Sequence, residues 1–143
     1  MKIYLGSDHG GFELKEEIED YLKKEGYNVE DLGTHNEDSV DYPDFGIKVG
    51  EAVIEDEDSI GIVFCGTGIG VSIAANKVKG IRCALCADVF SAEMAKKHNK
   101  ANVIALGGRV TGKGLGKRIV KAFLDEKFEG GRHTRRVDKI MNY

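Results

Sequence analysis

Apolar and polar positions along this chain alternate between two periodicities. Short runs typical of β-strands, such as residues 3–7 and 59–64, are separated by longer stretches in which apolar residues recur every three or four positions. This alternation is typical of a parallel sheet covered by helices on both faces. We therefore predict one α/β domain over residues 1–143, a three-layer α/β/α sandwich around a five-stranded, parallel, Rossmann-like sheet. The predicted strands are residues 3–7, 28–32, 59–64, 81–87 and 103–106, and the predicted helices are residues 11–25, a stretch that begins at Pro43, and residues 71–77, 91–97 and 113–125.

Composition narrows the classes of function. With 143 residues, of which 41% are hydrophobic, the chain can bury a core without disulfides or metal ions. A formal net charge of −3 argues against nucleic acid and against an anionic membrane surface as partners. No apolar stretch approaches the length of a membrane span, and Met1 leads directly into a strand pattern without a signal peptide. Three cysteines, an odd number, indicate reduced thiols, so we expect a cytoplasmic protein.

The segment with the most chemical information is Cys65-Gly66-Thr67-Gly68-Ile69-Gly70, which follows a predicted strand and leads into a predicted helix. Three glycines in five residues would weaken a packed core unless the backbone must approach a ligand closely. A cysteine at a strand end is most often a small buried hydrophobic residue. Here the glycine loop favours a thiol that acts as a base or nucleophile, beside backbone N–H groups that hold negative charge on a substrate oxygen.

Polar residues follow several of the predicted strands, and in open α/β sheets ligands bind outside the carboxyl ends of the strands. Asp8 and His9 follow the first strand, and Arg109 follows the fifth, so we expect both segments to lie beside Cys65. His98 and Asn99 come after a helix and before a strand, which places them at the opposite edge of their own sheet. This pair either lies on the surface without a role or serves a neighbouring subunit.

Other candidates have simpler interpretations. Cys83 and Cys86 are three positions apart within a predicted strand, so they face opposite sides of the sheet and are interpreted as core thiols. No second cysteine pair is present to complete a four-cysteine zinc site. Arg132 and Arg136 could belong to a solvated charge run, but their spacing would also let them share one helical face and grip one phosphate.

Taken together, these segments resemble the type B ribose-5-phosphate isomerases and their allose- and galactose-6-phosphate relatives. The resemblance covers essentially the whole chain, and in combination its motifs are highly specific. They are Ser7-Asp8-His9-Gly10-Gly11-Phe12, Asp41-Tyr42-Pro43, the Cys65 loop with Ala74-Ala75-Asn76-Lys77, His98-Asn99, Gly108-Arg109-Val110, Glu129-Gly130-Gly131-Arg132-His133 and Arg136-Val137.

The resemblance implies an aldose–ketose isomerase of the pentose phosphate pathway that converts ribose 5-phosphate to ribulose 5-phosphate without a metal or other cofactor. Cys65 would move the proton between C2 and C1, and His98 would assist ring opening. Thr67 and the loop around it would hold the enediolate oxygen. The remaining implied contacts are Gly66, Gly68, Ile69 and Gly70 in that loop, Asp8, His9, Tyr42 and Asn99 on sugar hydroxyls, and Arg109, Arg132 and Arg136 on the phosphate.

Three alternatives stay open at this point. A dinucleotide-binding module is disfavoured because a G-x-G-x-x-G pattern would need glycine where Val71 stands. A nonenzymatic phosphosugar sensor would need all of the implied substrate contacts but neither Cys65 nor His98. A six-carbon sugar phosphate could replace the pentose phosphate as substrate. Because one chain cannot easily join Cys65 to His98, we also expect a homodimer, with a tetramer as the alternative.

Overall fold

The computed structural model describes residues 1–143 as a single parallel sheet with six helices. The elements in chain order are β1 (Lys2–Ser7), α1 (Phe12–Lys24), β2 (Asn28–Asp31), α2 (Tyr42–Glu55), β3 (Ile60–Cys65), α3 (Ile69–Ala75), β4 (Cys83–Leu85), α4 (Val89–Lys97), β5 (Val103–Gly107), α5 (Lys113–Asp125) and α6 (Arg132–Met141). All four strand pairings are parallel, and the spatial order is β2-β1-β3-β5-β4. The predicted α/β class and five-stranded sheet are confirmed.

Side-chain alternation along the central strands builds one core on each face of the sheet. In β3, Ile62 and Phe64 point to a core shared with α1, α4 and α5, whereas Val63 and Cys65 point to a smaller core shared with α2 and α3. All six residues of β3 are buried, as expected for a strand covered on both faces. The predicted three-layer sandwich is therefore confirmed.

The fourth strand is shorter than the predicted residues 81–87. The Ile81 amide donates to the Val78 carbonyl in a turn, and the Arg82 amide donates to the side chain of Asn102. Because these two amides are satisfied outside the sheet, β4 begins only at Cys83, and it ends at Leu85. The prediction that the two neighbouring cysteines face opposite sides is confirmed, since Cys86 lies in the larger core and Cys83 packs against the smaller one.

Helix bounds also differ in detail from the prediction. Helix α3 begins at Ile69, two residues before the predicted start, and α2 begins at Tyr42 with Pro43 in its first turn. The basic segment near the end of the chain forms α6, which buries His133 and Val137 and exposes Arg132 and Arg136. None of the six helices is both long enough and apolar enough to span a membrane.

A buried lysine fixes the connection between β2 and α2. Lys15 on α1 is fully buried, and its Nζ lies 2.6 Å from Oδ2 of Asp31 and donates to the carbonyl of Thr34 at 2.9 Å. Thr34 in turn donates its amide to the carbonyl of Ser7 at 2.8 Å. The ion pair thus holds this connection against the carboxyl end of β1, where the site residues begin.

Candidate active site

The loop after β3 holds a thiol against backbone donors. Cys65 is 4% exposed, and its Sγ accepts a hydrogen bond from the Gly68 amide at 3.1 Å. Gly68 has a φ of +82°, a conformation that favours glycine. Thr67 is exposed, and its Oγ1 accepts from the Ile69 amide at 3.2 Å. The loop therefore places a thiol, a hydroxyl and free backbone amides at one edge of the sheet.

The loop after β1 lies directly beside the Cys65 loop. A Cβ added to Gly10 would lie 3.0 Å from the Gly66 nitrogen, so the two backbones nearly touch. Asp8 is buried and its Oδ1 accepts from the Gly11 amide at 3.1 Å, which fixes the turn. The Nδ1 of His9 accepts from the Val40 amide at 3.2 Å. Neutral His9 therefore carries its proton on Nε2, where it can donate to a ligand.

Arg109 and Tyr42 close around the same loop. The Arg109 amide donates to the Gly66 carbonyl at 2.9 Å, and a Cβ on Gly66 would lie 3.0 Å from Nη1 of Arg109. A Cβ on Gly70 would lie 2.5 Å from the Tyr42 ring. Glycine at positions 66 and 70 is thus what allows an arginine and a tyrosine to pack against the loop. The structure brings together Asp8, His9, Tyr42, Cys65, Gly66, Thr67, Gly68, Ile69, Gly70 and Arg109.

The other predicted residues form a second group. His98 caps the C-terminus of α4, and its ring stacks on that of His133 with centroids 4.2 Å apart and planes at 10°. The Glu129 amide donates to the Lys97 carbonyl at 3.0 Å, which ties the segment before α6 to the end of α4. Helix α6 starts there and carries Arg132 and Arg136. His98, Asn99, Arg132 and Arg136 therefore share one region.

The two groups lie at opposite ends of the parallel strands, one at their carboxyl ends and the other at their amino ends. Strands β1, β3 and β5 are parallel and present Asp8, Cys65 and Arg109 at or just beyond their carboxyl ends. His98 stands before the amino end of β5, after a helix that returns across the sheet. The sequence-based expectation that one chain separates Cys65 from His98 is confirmed as a topological relation.

Arginines in both groups are available to an anion. Every ion pair in the chain is formed by a lysine or a histidine, and no arginine has a carboxylate within 4.0 Å. Arg132 and Arg136 are exposed and one helical turn apart. This arrangement leaves their guanidinium groups free for a phosphate.

Three acidic or histidine residues have roles that the sequence did not indicate. Asp88, at the same edge as Cys65, caps α4 by accepting from the Ser91 amide at 2.7 Å, which lowers the pKa of Asp88. His133 is buried, and its pKa is lowered chiefly by that burial and further by the nearby His98 and Arg132. Glu129 reaches both imidazoles. The only sequence signal for the last two residues was their place in the motif that contains Arg132.

Comparisons with known proteins agree with this arrangement. The profile of the ribose/galactose isomerase family matches residues 3–140. Ribose-5-phosphate isomerase B of Escherichia coli K12 is 48% identical over 139 residues, covering 97% of this chain and 93% of that protein. The structure of Clostridium thermocellum ribose-5-phosphate isomerase B superimposes with a TM-score of 0.97 at 58% identity, covering 99% and 96% of the two chains. The structure of ribose-5-phosphate isomerase B from Mycoplasma genitalium, crystallised with bound ribulose 5-phosphate, superimposes with a TM-score of 0.96 at 45% identity. The match covers 99% of this chain and 95% of that chain.

The fold and the polar sheet edge define an α/β enzyme that handles a small phosphorylated ligand. The chain belongs to the ribose/galactose isomerase family. It is an aldose–ketose isomerase that acts on a sugar phosphate.

Proposed function

We propose that this enzyme interconverts ribose 5-phosphate and ribulose 5-phosphate, with Cys65 as the base. The observation that carries the proposal is the hydrogen bond from the Gly68 amide to the Cys65 sulfur. This bond fixes the sulfur beside backbone donors at the end of β3, and the thiolate form of a cysteine is the form that accepts a proton. Support for the substrate comes from relatives named for ribose 5-phosphate, one of them with ribulose 5-phosphate bound.

The chemistry follows from the residues at the sheet edge. After ring opening, the Cys65 thiolate removes the proton from C2 of the aldose, and the C–H electrons form the C1–C2 double bond of an enediolate. The same thiol then returns its proton to C1, while one hydroxyl proton passes from O2 to O1. Thr67 and the amides of the loop hold the negative oxygen, because preorganised donors stabilise charge that develops in the transition state. Asp8, His9 and Tyr42 orient the sugar hydroxyls.

The second group of residues comes from a partner copy in this proposal. His98 opens the ring by moving a proton between the anomeric hydroxyl and the ring oxygen, since an imidazole can both accept and donate a proton. Arg132 and Arg136 join Arg109 on the phosphate, and Asn99 binds a hydroxyl. Within one chain these groups lie at the opposite sheet edge from Cys65, so a homodimer assembles two complete sites. A tetramer would be a pair of such dimers.

Exposed apolar side chains near the Cys65 loop support a partner surface. Ile69 is 51% exposed in the first turn of α3, Leu85 is 44% exposed at the end of edge strand β4, and Phe90 is 68% exposed in the first turn of α4. These large apolar side chains lie beside the group of site residues that contains Cys65, and such clusters mark interaction surfaces. Asn76 pairs with both the amide and the carbonyl of Cys83, at 2.7 and 3.0 Å, and so covers the first residue of the outer edge of β4.

Ribose 5-phosphate turnover is the direct test of the proposed substrate. Steady-state rates on ribose, allose and galactose phosphates should give the highest kcat/KM for ribose 5-phosphate. A six-carbon phosphate is the second candidate, because the family includes galactose isomerases. A higher kcat/KM for a six-carbon phosphate would replace the pentose assignment. A role in the pentose phosphate pathway and a cytoplasmic location accompany the proposal, supported for location by three free cysteines.

A further inference from the structure

A cluster of two histidines and one glutamate lies where α4, α6 and the connecting segment meet. Nε2 of His98 is 3.6 Å from Oε1 of Glu129, and Nε2 of His133 is 3.5 Å from the same oxygen. The donor atoms of all three residues lie within 4.8 Å of one another. The proposed mechanism uses only His98 from this cluster, so the other two residues call for a separate explanation.

His133 presents a buried nitrogen that has no hydrogen-bond partner. The residue is 7% exposed, and its Nε2 makes no hydrogen bond in the structure. An unsatisfied buried polar atom is costly, and native structures usually supply it with a ligand, a water or an ion. In the neutral ring, the nitrogen that carries no proton has a lone pair that can bind a Lewis acid.

The three donors match a known coordination set in kind and in spacing. Two histidines and one glutamate with a fourth open position is a ligand set that zinc uses in proteins. A tetrahedral zinc with bonds of about 2.0–2.1 Å separates its ligand atoms by about 3.3 Å. The two nitrogen-to-oxygen distances of 3.6 and 3.5 Å need only a small contraction to reach that value.

One side-chain movement completes the geometry. The two imidazole planes are 10° from parallel, so a single ion cannot lie in both planes at once. The His98 side chain is 38% exposed and makes no hydrogen bond of its own, whereas His133 is packed. Rotation of the His98 ring about its Cβ–Cγ bond turns Nε2 towards the ion, while His133 and Glu129 keep their places.

We propose that His98, Glu129 and His133 form a site for a divalent transition ion of the zinc class, and that the bound ion switches the isomerase off. Inhibition follows because coordination occupies the nitrogen of His98 that would otherwise move the ring-opening proton. Glu129 is the main source of attraction, since it supplies the only negative charge of the set. Arg132 directly precedes His133 in the sequence, and its positive charge repels a bound cation. The inhibition rests on the proposed function, whereas the binding does not.

Binding can be measured without any substrate. Zinc is titrated into the purified protein in competition with a chromophoric chelator, and we expect one ion per chain. Glu129→Gln removes a ligand and the negative charge, so the affinity should fall by more than about tenfold. Glu126→Gln is the matched control, because Glu126 lies in the same segment and pairs with Lys97 at 3.6 Å. Equal affinities in the two variants and the unmodified protein would overturn the site.

Cobalt distinguishes this site from the cysteines. Cobalt bound by imidazole and carboxylate shows visible ligand-field bands without a thiolate charge-transfer band in the near ultraviolet. We expect that spectrum, unchanged in Cys65→Ala and weakened in His133→Asn. A thiolate band that disappears in Cys65→Ala would place the ion on Cys65 and overturn the proposal.

Activity tests the regulatory half. Zinc should inhibit ribose 5-phosphate turnover, excess EDTA should restore it, and Glu129→Gln should need at least tenfold more zinc for half inhibition. Stoichiometric zinc binding without inhibition would overturn the proposed regulation, whereas the proposed binding site would stand. If the protein lacked activity on ribose 5-phosphate altogether, the binding and cobalt results would still decide whether the site exists.

Discussion

The backbone amide of Gly68 donates a hydrogen bond to the sulfur of Cys65 across 3.1 Å. Gly68 can do so because it adopts a φ of +82° at the turn into α3. A Cβ at this position would lie 2.9 Å from the Leu106 carbonyl carbon and 2.6 Å from the Leu85 side chain. The amide is therefore held in place by its backbone conformation and by the packing around it, which gives the thiol a fixed donor.

Removal of this thiol tests the proposed base. Cys65→Ala should abolish isomerisation and leave phosphosugar binding intact, because the alanine keeps the loop but cannot accept a proton. Cys83→Ala and Cys86→Ala are the controls, and both should change stability more than turnover, since these thiols belong to the core packing. Turnover close to that of the unmodified enzyme in a folded Cys65→Ala protein would show that another residue is the base.

Alkylation offers a complementary measurement on the unmodified protein. Burial raises the pKa of Cys86 to about 11 and that of Cys83 further, so neither is a thiolate at pH 8. Iodoacetamide should therefore modify Cys65 first, and substrate should protect it, as peptide mass spectrometry can show. Modification of Cys65 at the same rate with and without substrate would place the thiol outside the site.

Arg132 and Arg136 should be needed for phosphate binding. A hydrogen bond to a charged group contributes about 1.5–3 kcal/mol, so Arg132→Ala or Arg136→Ala should raise the inhibition constant of a phosphorylated sugar analogue by roughly ten- to a hundredfold. Arg118→Ala is the control, because Arg118 is exposed on α5 and belongs to neither group of site residues. Inhibition constants that match the control would exclude Arg132 and Arg136 from the site.

The buried ion pair predicts a large effect on stability. Asp31→Asn removes the nearer carboxylate of the buried Lys15 ammonium, at 2.6 Å, and leaves only the half-exposed Glu16 at 3.4 Å. Loss of one partner of a buried pair costs about 3–5 kcal/mol. Chemical denaturation should show this as a lower free energy of unfolding. Glu30→Gln is the control, because Glu30 pairs with Lys2 at the same 2.6 Å but at the surface. Equal losses in the two variants would mean that burial does not set the strength of the Lys15 pair.

Catalysis should require no metal. The proposed steps need only a thiol, an imidazole, hydrogen-bond donors and arginines. Dialysis against EDTA should leave kcat unchanged, or raise it if the preparation carries inhibitory zinc. A lasting loss of activity that a divalent ion restores would contradict the mechanism.

The sequence predicted the fold and the Cys65 side of the site because those features are local. The strand and helix periodicities predict the parallel sheet, and the glycines around Thr67 indicate a loop whose backbone approaches a ligand. The short β4 was missed because the amide of Arg82 bonds to Asn102, twenty positions away, which no local pattern shows. The stacking of His98 on His133 was missed for the same reason. It depends on the segment that contains Glu129 folding back onto Lys97.

In the proposed enzyme two chains build each active site, one supplying Cys65 and the other His98. Cys65→Ala and His98→Ala should each be inactive as pure dimers, because every site then lacks one residue. After dissociation, equal mixing and reassociation, half of the dimers are mixed, and each mixed dimer has one site with both residues intact.

Subunit mixing therefore measures the claim directly. With a shared site, activity should recover to about a quarter of that of the unmodified enzyme. Differential tags on the two variants, or native mass spectrometry, confirm that subunits have exchanged. No recovery in a sample with confirmed exchange would contradict the shared site, because it would mean that Cys65 and His98 of the same chain work together.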